Sequence, residues 1–302
     1  MKQARSATEQ AEIAVFGPQA PWMFAVLRAM VRDLEHTPVR YQYLSEEDFL
    51  ELFRSDVVGG VRVQVSELLY QAHFASVATL VRAYRWAEGC LAAYSQNLYL
   101  PFCASARGLL EAVGDSHTGL ARIPLSLAEA SSDVRAGLAK TSPPALHNYE
   151  EIENILLHFS HARRLSKEEK AALPEYARAQ DPKDYTLPIE AQCPGGFYAW
   201  YQELCELTHP ASDSVCYTLN QEDDGQVSFN PSIDHERIAA HVGRHQERLT
   251  ELLRLAQVPA ITTLRVLVHF PMPELHVKSV AGLDMSRMPL WRKCAAKLGV
   301  VP

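Results

Sequence analysis

V-R-V-Q-V-S-E-L-L-Y-Q-A-H-F-A-S-V-A-T-L-V-R-A-Y-R-W-A-E-G-C-L-A-A-Y-S-Q-N, Val61 to Asn97, is the stretch on which the fold class turns. It holds no proline and is rich in Ala, Leu, Val and aromatic residues. Leu68, Ala72, Ala75, Thr79, Ala83, Trp86 and Cys90 step along it by three and four, the period of a helix face. Its apolar positions wrap well beyond one stripe, which predicts a helix buried in the core.

Working outward from this segment, helical periods dominate on both sides. Upstream, Pro21 sits where a first-turn proline is tolerated, and Trp22, Met23, Val26, Leu27, Met30, Val31 and Leu34 form a stripe. Ser45-Glu46-Glu47-Asp48 resembles a capping box before Phe49, and Gly59-Gly60 reads as a break. Downstream, a second helix is expected from Pro101 through Arg107 and Glu111, ending at Gly114. Leu127 to Lys140 and Asn148 to Arg164 read as helices, and Ser166-Lys167-Glu168-Glu169 opens another.

Ala179 to Gly196, with three prolines and two glycines, reads as a surface loop. Phe197 to His209 is a short aromatic helix halted by Pro210, and Val215 to Phe229 suits a hairpin or a polar loop. Asp234 to Gln257 is strongly amphipathic through Ile238, Val242, Leu249, Leu252 and Leu253. Pro259 to Phe270 fits a strand or a buried helix, and the last thirty residues look irregular apart from a short helix near Trp291 to Leu298. The expectation is an all-α, multi-helix, bundle-like fold with at most a small β-hairpin. An N-terminal helical segment, 1–60, would pack on a main helical domain, 61–302.

Composition bounds the function. The 302 residues are 47% hydrophobic, enough for a large core. Against 29 basic residues stand 36 acidic ones, a net of -7, which gives no general attraction to nucleic acid or anionic membranes. Six cysteines, at 90, 103, 193, 205, 216 and 294, form no C-x-x-C pair and suit a reducing compartment. The opening M-K-Q-A-R-S-A-T-E-Q lacks an apolar core, so no secretory signal is expected, and no run reaches the 18 apolar residues of a membrane span. These features point to a cytoplasmic protein with no membrane partner. No cofactor motif occurs, neither a phosphate loop nor G-x-G-x-x-G.

Three stretches carry candidate chemistry. In A-R-G-L-L-E-A-V-G-D-S-H-T-G-L, Ala106 to Leu120, Arg107 and Glu111 share a helix face and can pair. Gly114-Asp115-Ser116-His117 suggests a nucleophile block, but the residues before it are helical and Ser116 and His117 are adjacent, so they point apart and cannot share a proton. Asp115 and Ser116 read instead as residues of a helix end. In Y-Q-E-L-C-E-L-T-H-P, Tyr201 to Pro210, His209 lies at a helix C-terminus, where the dipole favours it. A functional reading joins it to Arg107 and Glu111 in one polar pocket. His241 and His245, four apart, could share a metal ion, yet position 242 is Val and no third ligand is evident. His158 and His161 form a similar incomplete pair.

The combination of R-G-L-L-E-A with Y-x-x-L-C-E-L-T-H-P about a hundred residues later resembles the DUF5677-like and abortive-infection-like helical proteins of bacteria. The likeness spans about residues 70–255 in two short blocks. It implies a helical fold and a pocket drawing on Arg107, Glu111, Tyr201, Glu206 and His209, but no particular reaction. We expect a stress- or phage-defence protein in which Arg107, Glu111 and His209 are the candidate catalytic residues and Tyr201 and Glu206 the candidate substrate-binding ones. The HEPN ribonuclease signature of suspected relatives, an Arg and then a His after four to six residues, is absent; Arg237 to His241 and Arg265 to His269 are each one residue too short. Two functions from different classes are therefore expected. One is a polar Arg-Glu-His pocket that binds or hydrolyses a substrate. The other is a non-catalytic helical module that binds a protein or small molecule, with the same residues structural.

Overall fold

A computed structural model describes residues 5–139, 149–193, 195–222 and 225–301. Lys140 and Asn148, where two expected helices end and begin, and Asp223 and Asp224 within Val215 to Phe229 lie outside the described residues. In chain order the helices are α1 (Ala7–Phe16), α2 (Ala20–His36), α3 (Glu46–Ser55), α4 (Val57–Ser95), α5 (Tyr99–Leu120), α6 (Ile123–Glu129) and α7 (Ser131–Ala139). There follow α8 (Glu150–His161), α9 (Lys167–Ala172), α10 (Pro182–Gln192), α11 (Phe197–Thr208) and α12 (Ser212–Cys216). Strands β1 (Leu219–Gln221) and β2 (Val227–Phe229) pair antiparallel, Leu219 opposite Phe229, before α13 (Asp234–Leu267), α14 (Lys278–Ala281) and α15 (Pro289–Leu298). The described chain is thus all-α with one two-stranded ribbon. No helix among the described residues is long and apolar enough to cross a membrane.

Local chemistry explains most helix starts. Ser6 and Glu9 close a reciprocal capping box on α1, and Ser166 and Glu169 do the same on α9. Ser45 accepts from the Asp48 N–H at 3.1 Å to start α3. Gly59-Gly60 does not break the chain there, as the sequence suggested, but lies in the first turn of α4. Asp56 Oδ1 accepts from the Gly59 N–H at 2.9 Å, capping the new helix. A Cβ on Gly59 would stand 2.5 Å from Asp56 Oδ2, and one on Gly60 2.5 Å from the Phe53 ring, so the pair permits the tight α3–α4 corner.

Two further expectations are corrected, and one open alternative is decided. The helix of Arg107 and Glu111 does not end at Gly114 but runs on to Leu120, burying Ser116 and His117. Gly114 is there for room, because an added Cβ would lie 2.8 Å from the backbone oxygen of Tyr185 on α10. Ala179 to Gly196 is not all loop: Pro182 fits the first turn of α10, and fully buried Thr186 and Ile189 anchor it despite the internal Pro188. The ambiguous Pro259 to Phe270 stretch continues α13 through Pro259, with the Thr262 and Thr263 hydroxyls donating to the carbonyls of Val258 and Pro259 at 2.6 and 2.9 Å.

The chain forms two compact units. The first comprises Met1–Leu27, Val81–Asp115 and Asp181–Leu255. Its core holds Phe16, Phe24, Phe102, Leu109, Leu110 and Trp200, with Phe16 set edge-on to Phe24 at 5.4 Å. Within it, the Thr250 hydroxyl donates to the Phe16 carbonyl at 2.6 Å and fastens α1 to α13. The second comprises Arg28–Leu80, Ser116–Gln180 and Ala256–Pro302. Its core holds Leu68, Leu69, Leu80, Leu120, Leu264 and Trp291, and α15 packs along α6.

Candidate functional site

The site lies in the first unit, where α5 and α11 meet. Arg107 Nε donates to Glu111 Oε1 at 2.8 Å, the i,i+4 pair that the sequence spacing predicts. Arg107 Nη1 donates to Thr208 Oγ1 at 3.0 Å and to His209 Nε2 at 2.8 Å. The guanidinium carbon also stands 6.0 Å from the centre of the Tyr201 ring. Burial alone would lower the Arg107 pKa, but the hydrogen bond and charge of Glu111 outweigh it, and the net direction is upward. Arg107 is fixed as a cation.

Side-chain exposures of 21% for Arg107 and 31% for Glu111 place the pair between a dry core and a free surface. Beside it opens a pocket of about 530 Å³. Its apolar lining comes from Leu100, Pro101 and Ala104 on α5 and from Leu207 and Pro210, and its polar edge from Thr208, His209 and Ser214. The volume falls within the usual range for small-ligand sites.

Hydrogen-bond roles decide what this edge offers. Thr208 Oγ1 accepts from Arg107 and donates to the Leu204 carbonyl at 2.7 Å, so it is satisfied. Ser214 Oγ accepts from the Ala211 N–H and donates to the Ala211 carbonyl, so it is satisfied too. Guanidinium can only donate, hence His209 Nε2 is the acceptor and the proton of the neutral ring sits on Nδ1. That N–H has no partner among the described residues.

Of the residues the sequence nominated, Arg107, Glu111 and His209 come together, with Tyr201 alongside. Burial, then the Cys205 hydrogen bond, pushes the Tyr201 phenol up to about 12. Glu206 is exposed and does not join them. At roughly 100° per residue, Tyr201, Cys205 and Thr208 share one face of α11, whereas Glu206 stands about 140° from Tyr201.

A second polar cluster occupies another side of α11, built around Glu203, which the sequence reading missed. Glu203 Oε2 accepts from His245 Nε2 at 3.0 Å and Oε1 from Arg244 at 2.6 Å, while His241 Nδ1 faces Oε1 at 3.5 Å. The His241–His245 pair thus finds its third member. The ligand atoms of the three residues lie within 4.8 Å of one another, close enough for a metal ion.

The hydrogen-bond roles do not fit one. Trp200 Nε1–H donates to His241 Nε2 at 3.1 Å, and Arg248 donates to His245 Nδ1 at 2.7 Å. Both donors are donors only, so each neutral imidazole carries its proton on the nitrogen facing Glu203, where a metal would need a lone pair. Arg244 adds a positive charge at the same spot. The cluster reads as a carboxylate held by the His245 N–H and the Arg244 guanidinium, with His241 Nδ1 facing it at 3.5 Å without a hydrogen bond. The His245 hydrogen bond leads in holding Glu203 down at about 2, against the opposing effect of burial. Burial, then the charge of His245, holds His241 at about 3. His158 and His161 share no ligand position: His158 bonds the Tyr176 carbonyl and His161 the Ser160 hydroxyl.

The eye-catching Asp115-Ser116-His117 run forms no triad. Asp115 pairs with Arg82 at 2.7 Å, and His117 lies next to Ser116 on the same helix. Comparisons with models of known protein families, with curated proteins and with solved structures find no match.

Proposed function

We propose that the pocket beside His209 binds a small molecule with an apolar body and one anionic or carbonyl oxygen. The observation that carries this reading is the Arg107 to His209 Nε2 hydrogen bond, 2.8 Å long. It turns an exposed, pocket-lining imidazole into an N–H donor, backed by a fixed positive charge, at the edge of an otherwise apolar cavity. The same bond occupies the lone pair that a general base would need, so binding is favoured over hydrolysis. Glu111 holds Arg107 in place and sets the net charge of the pair near zero, leaving room for one weak acceptor rather than a strong polyanion.

Benzoate and its uncharged relative benzyl alcohol are suitable probes, followed by ligand-observed NMR. Saturable benzoate binding, weakened about tenfold in Arg107→Met and in His209→Phe, is expected from the loss of one charge-assisted contact. The partial exposure of the pair keeps the folding cost of Arg107→Met to about 1 kcal/mol. Equal binding of benzoate by wild type and both variants would sink the proposal. The likeness of the two sequence blocks to abortive-infection-like proteins supports a stress- or phage-defence setting. Equal phage plaquing on cells carrying the wild-type and Arg107→Met chains would remove that setting.

A further inference from the structure

The ribbon of β1 and β2 leaves one strand edge open. Its register sets Leu219 opposite Phe229, Asn220 opposite Ser228 and Gln221 opposite Val227. The Asn230 N–H donates to the Thr218 carbonyl at 2.8 Å, and the Glu222 N–H to the Gln226 carbonyl at 2.8 Å. Hydrogen-bonded pairs alternate along an antiparallel ladder, so Asn220 and Ser228 are the bonded pair between these two. The main-chain N–H and C=O groups of Leu219 and Gln221 therefore point away from β2, and those of Val227 and Phe229 point away from β1.

The two edges differ. On the β1 side, Arg237 of α13 donates to the Leu219 carbonyl at 2.8 Å and to the Tyr217 carbonyl at 3.0 Å, which covers that edge. On the β2 side, nothing among the described residues bonds the outward groups of Val227 and Phe229. Charged side chains and proline are the usual guards of a free edge, and residues 226–230 hold neither.

The side chains say what kind of strand this edge suits. Val227 is 61% exposed and Phe229 69%, and Leu219 and Gln221 are exposed on the same face of the ribbon. The opposite face carries Ser228 and Glu222. Glu222 is exposed, accepts from the Ser228 hydroxyl at 2.5 Å, and meets no ammonium or guanidinium among the described residues. A strand laid along β2 would find apolar neighbours at every second residue and an unneutralised carboxylate on the other face.

We propose that the β2 edge takes up an extended segment of a partner protein as a third, antiparallel strand, and that this segment alternates apolar and basic residues. The N–H and C=O groups of Val227 and Phe229 supply its main-chain hydrogen bonds. Its apolar side chains pack beside those of Val227 and Phe229, and its basic ones reach toward Glu222.

A capped, fluorescein-labelled peptide of alternating valine and lysine is the probe, followed by fluorescence anisotropy on the full chain. Saturable binding below about 1 mM is expected. The same peptide N-methylated at its valines keeps every side chain and charge but loses the N–H groups that face β2, and should bind at least about tenfold more weakly. A valine–glutamate peptide should be weaker by at least about tenfold, and Glu222→Gln should cost the lysine peptide about threefold. Val227→Pro removes an outward N–H without touching the bonds to β1 and should weaken binding about tenfold. The methylated and glutamate peptides probe the same contacts on the unaltered protein, so the outcome does not hang on how the variants fold. Equal binding of either control peptide, equal binding by Val227→Pro, or no saturable binding would overturn the assignment. So would a peptide-independent dimer in sedimentation that Val227→Pro dissolves, since a second copy would then own the edge.

Discussion

Two buried histidines make the fold acid-sensitive in a window that can be worked out. His241 has 0% exposure and is surrounded by Glu203 and Trp200 of α11, Tyr99 and Phe102 of α5, and Arg244 and His245 of its own helix. Burial first, then the charge of His245, holds it at about 3. His73, also at 0% exposure, is held at about 4 by burial, with only the Tyr41 hydroxyl on its ring. Unfolded, both take up a proton near pH 6.5. Because the folded values lie below the unfolded ones, only the unfolded chain gains protons as pH drops through 6.5. Stability therefore falls across that window, and the loss continues down to the folded values. Each proton difference costs about 1.36 kcal/mol per pH unit, so from pH 7 to 5 each histidine removes about 2 kcal/mol and the pair about 4. That is a large share of an ordinary folding free energy. Glu203 titrates normally at 4.5 and here at about 2, so its contribution is present above pH 4.5 and is lost only below it. Urea unfolding at pH 7, 6 and 5 measures the effect. His241→Gln preserves an acceptor for Trp200 without the titration, and should remove about half of the slope. His235→Gln, at an exposed position on the same helix, should leave it intact. A wild-type stability unchanged between pH 7 and 5, or a His241→Gln slope equal to wild type, would refute the reasoning.

Other perturbations follow from the same geometry. Gly114→Ala places a methyl 2.8 Å from the Tyr185 carbonyl, a backbone atom that cannot swing aside, and should cost about 1–3 kcal/mol in urea unfolding despite alanine's better helix propensity. Gly243→Ala, in α13 with nothing within 4 Å of the new methyl, should gain about 0.5–1 kcal/mol, and a loss there would contradict the packing described. Added zinc should leave the melting temperature unchanged, since both imidazoles turn N–H groups toward Glu203; a rise of several degrees that vanishes in His245→Gln would show that Trp200 and Arg248 yield to a metal.

What the sequence revealed and concealed follows from which interactions are local. The helical period of Val61 to Asn97 was readable because nearly every third or fourth residue meets the core, and Ser45 and Ser166 announced helix starts because caps act within four residues. Gly114 misled for the opposite reason: it answers to Tyr185, on α10 and far along the chain. Gly59-Gly60 misled although its contacts, Asp56 and Phe53, are near in sequence, because a tight corner between two helices calls for the same small residues as a break. The same distinction sorts the site. Arg107 and Glu111 were paired by spacing alone, and His209 stood out because a residue just before Pro210 ends its helix and points off the end. Glu203 gave no such signal. It sits between Trp200 and Glu206 on a helix already rich in polar and aromatic residues, and only the arrival of α13 shows that its face is the one covered. His241 and His245 were visible as a pair, but a pair does not disclose whether its nitrogens face the shared partner with lone pairs or with protons. That depends on Trp200, forty-one positions from His241, and on Arg248, one turn beyond His245. Metal site and carboxylate cradle can thus share three residues and a spacing, and the donors behind the imidazoles, not the imidazoles themselves, decide between them.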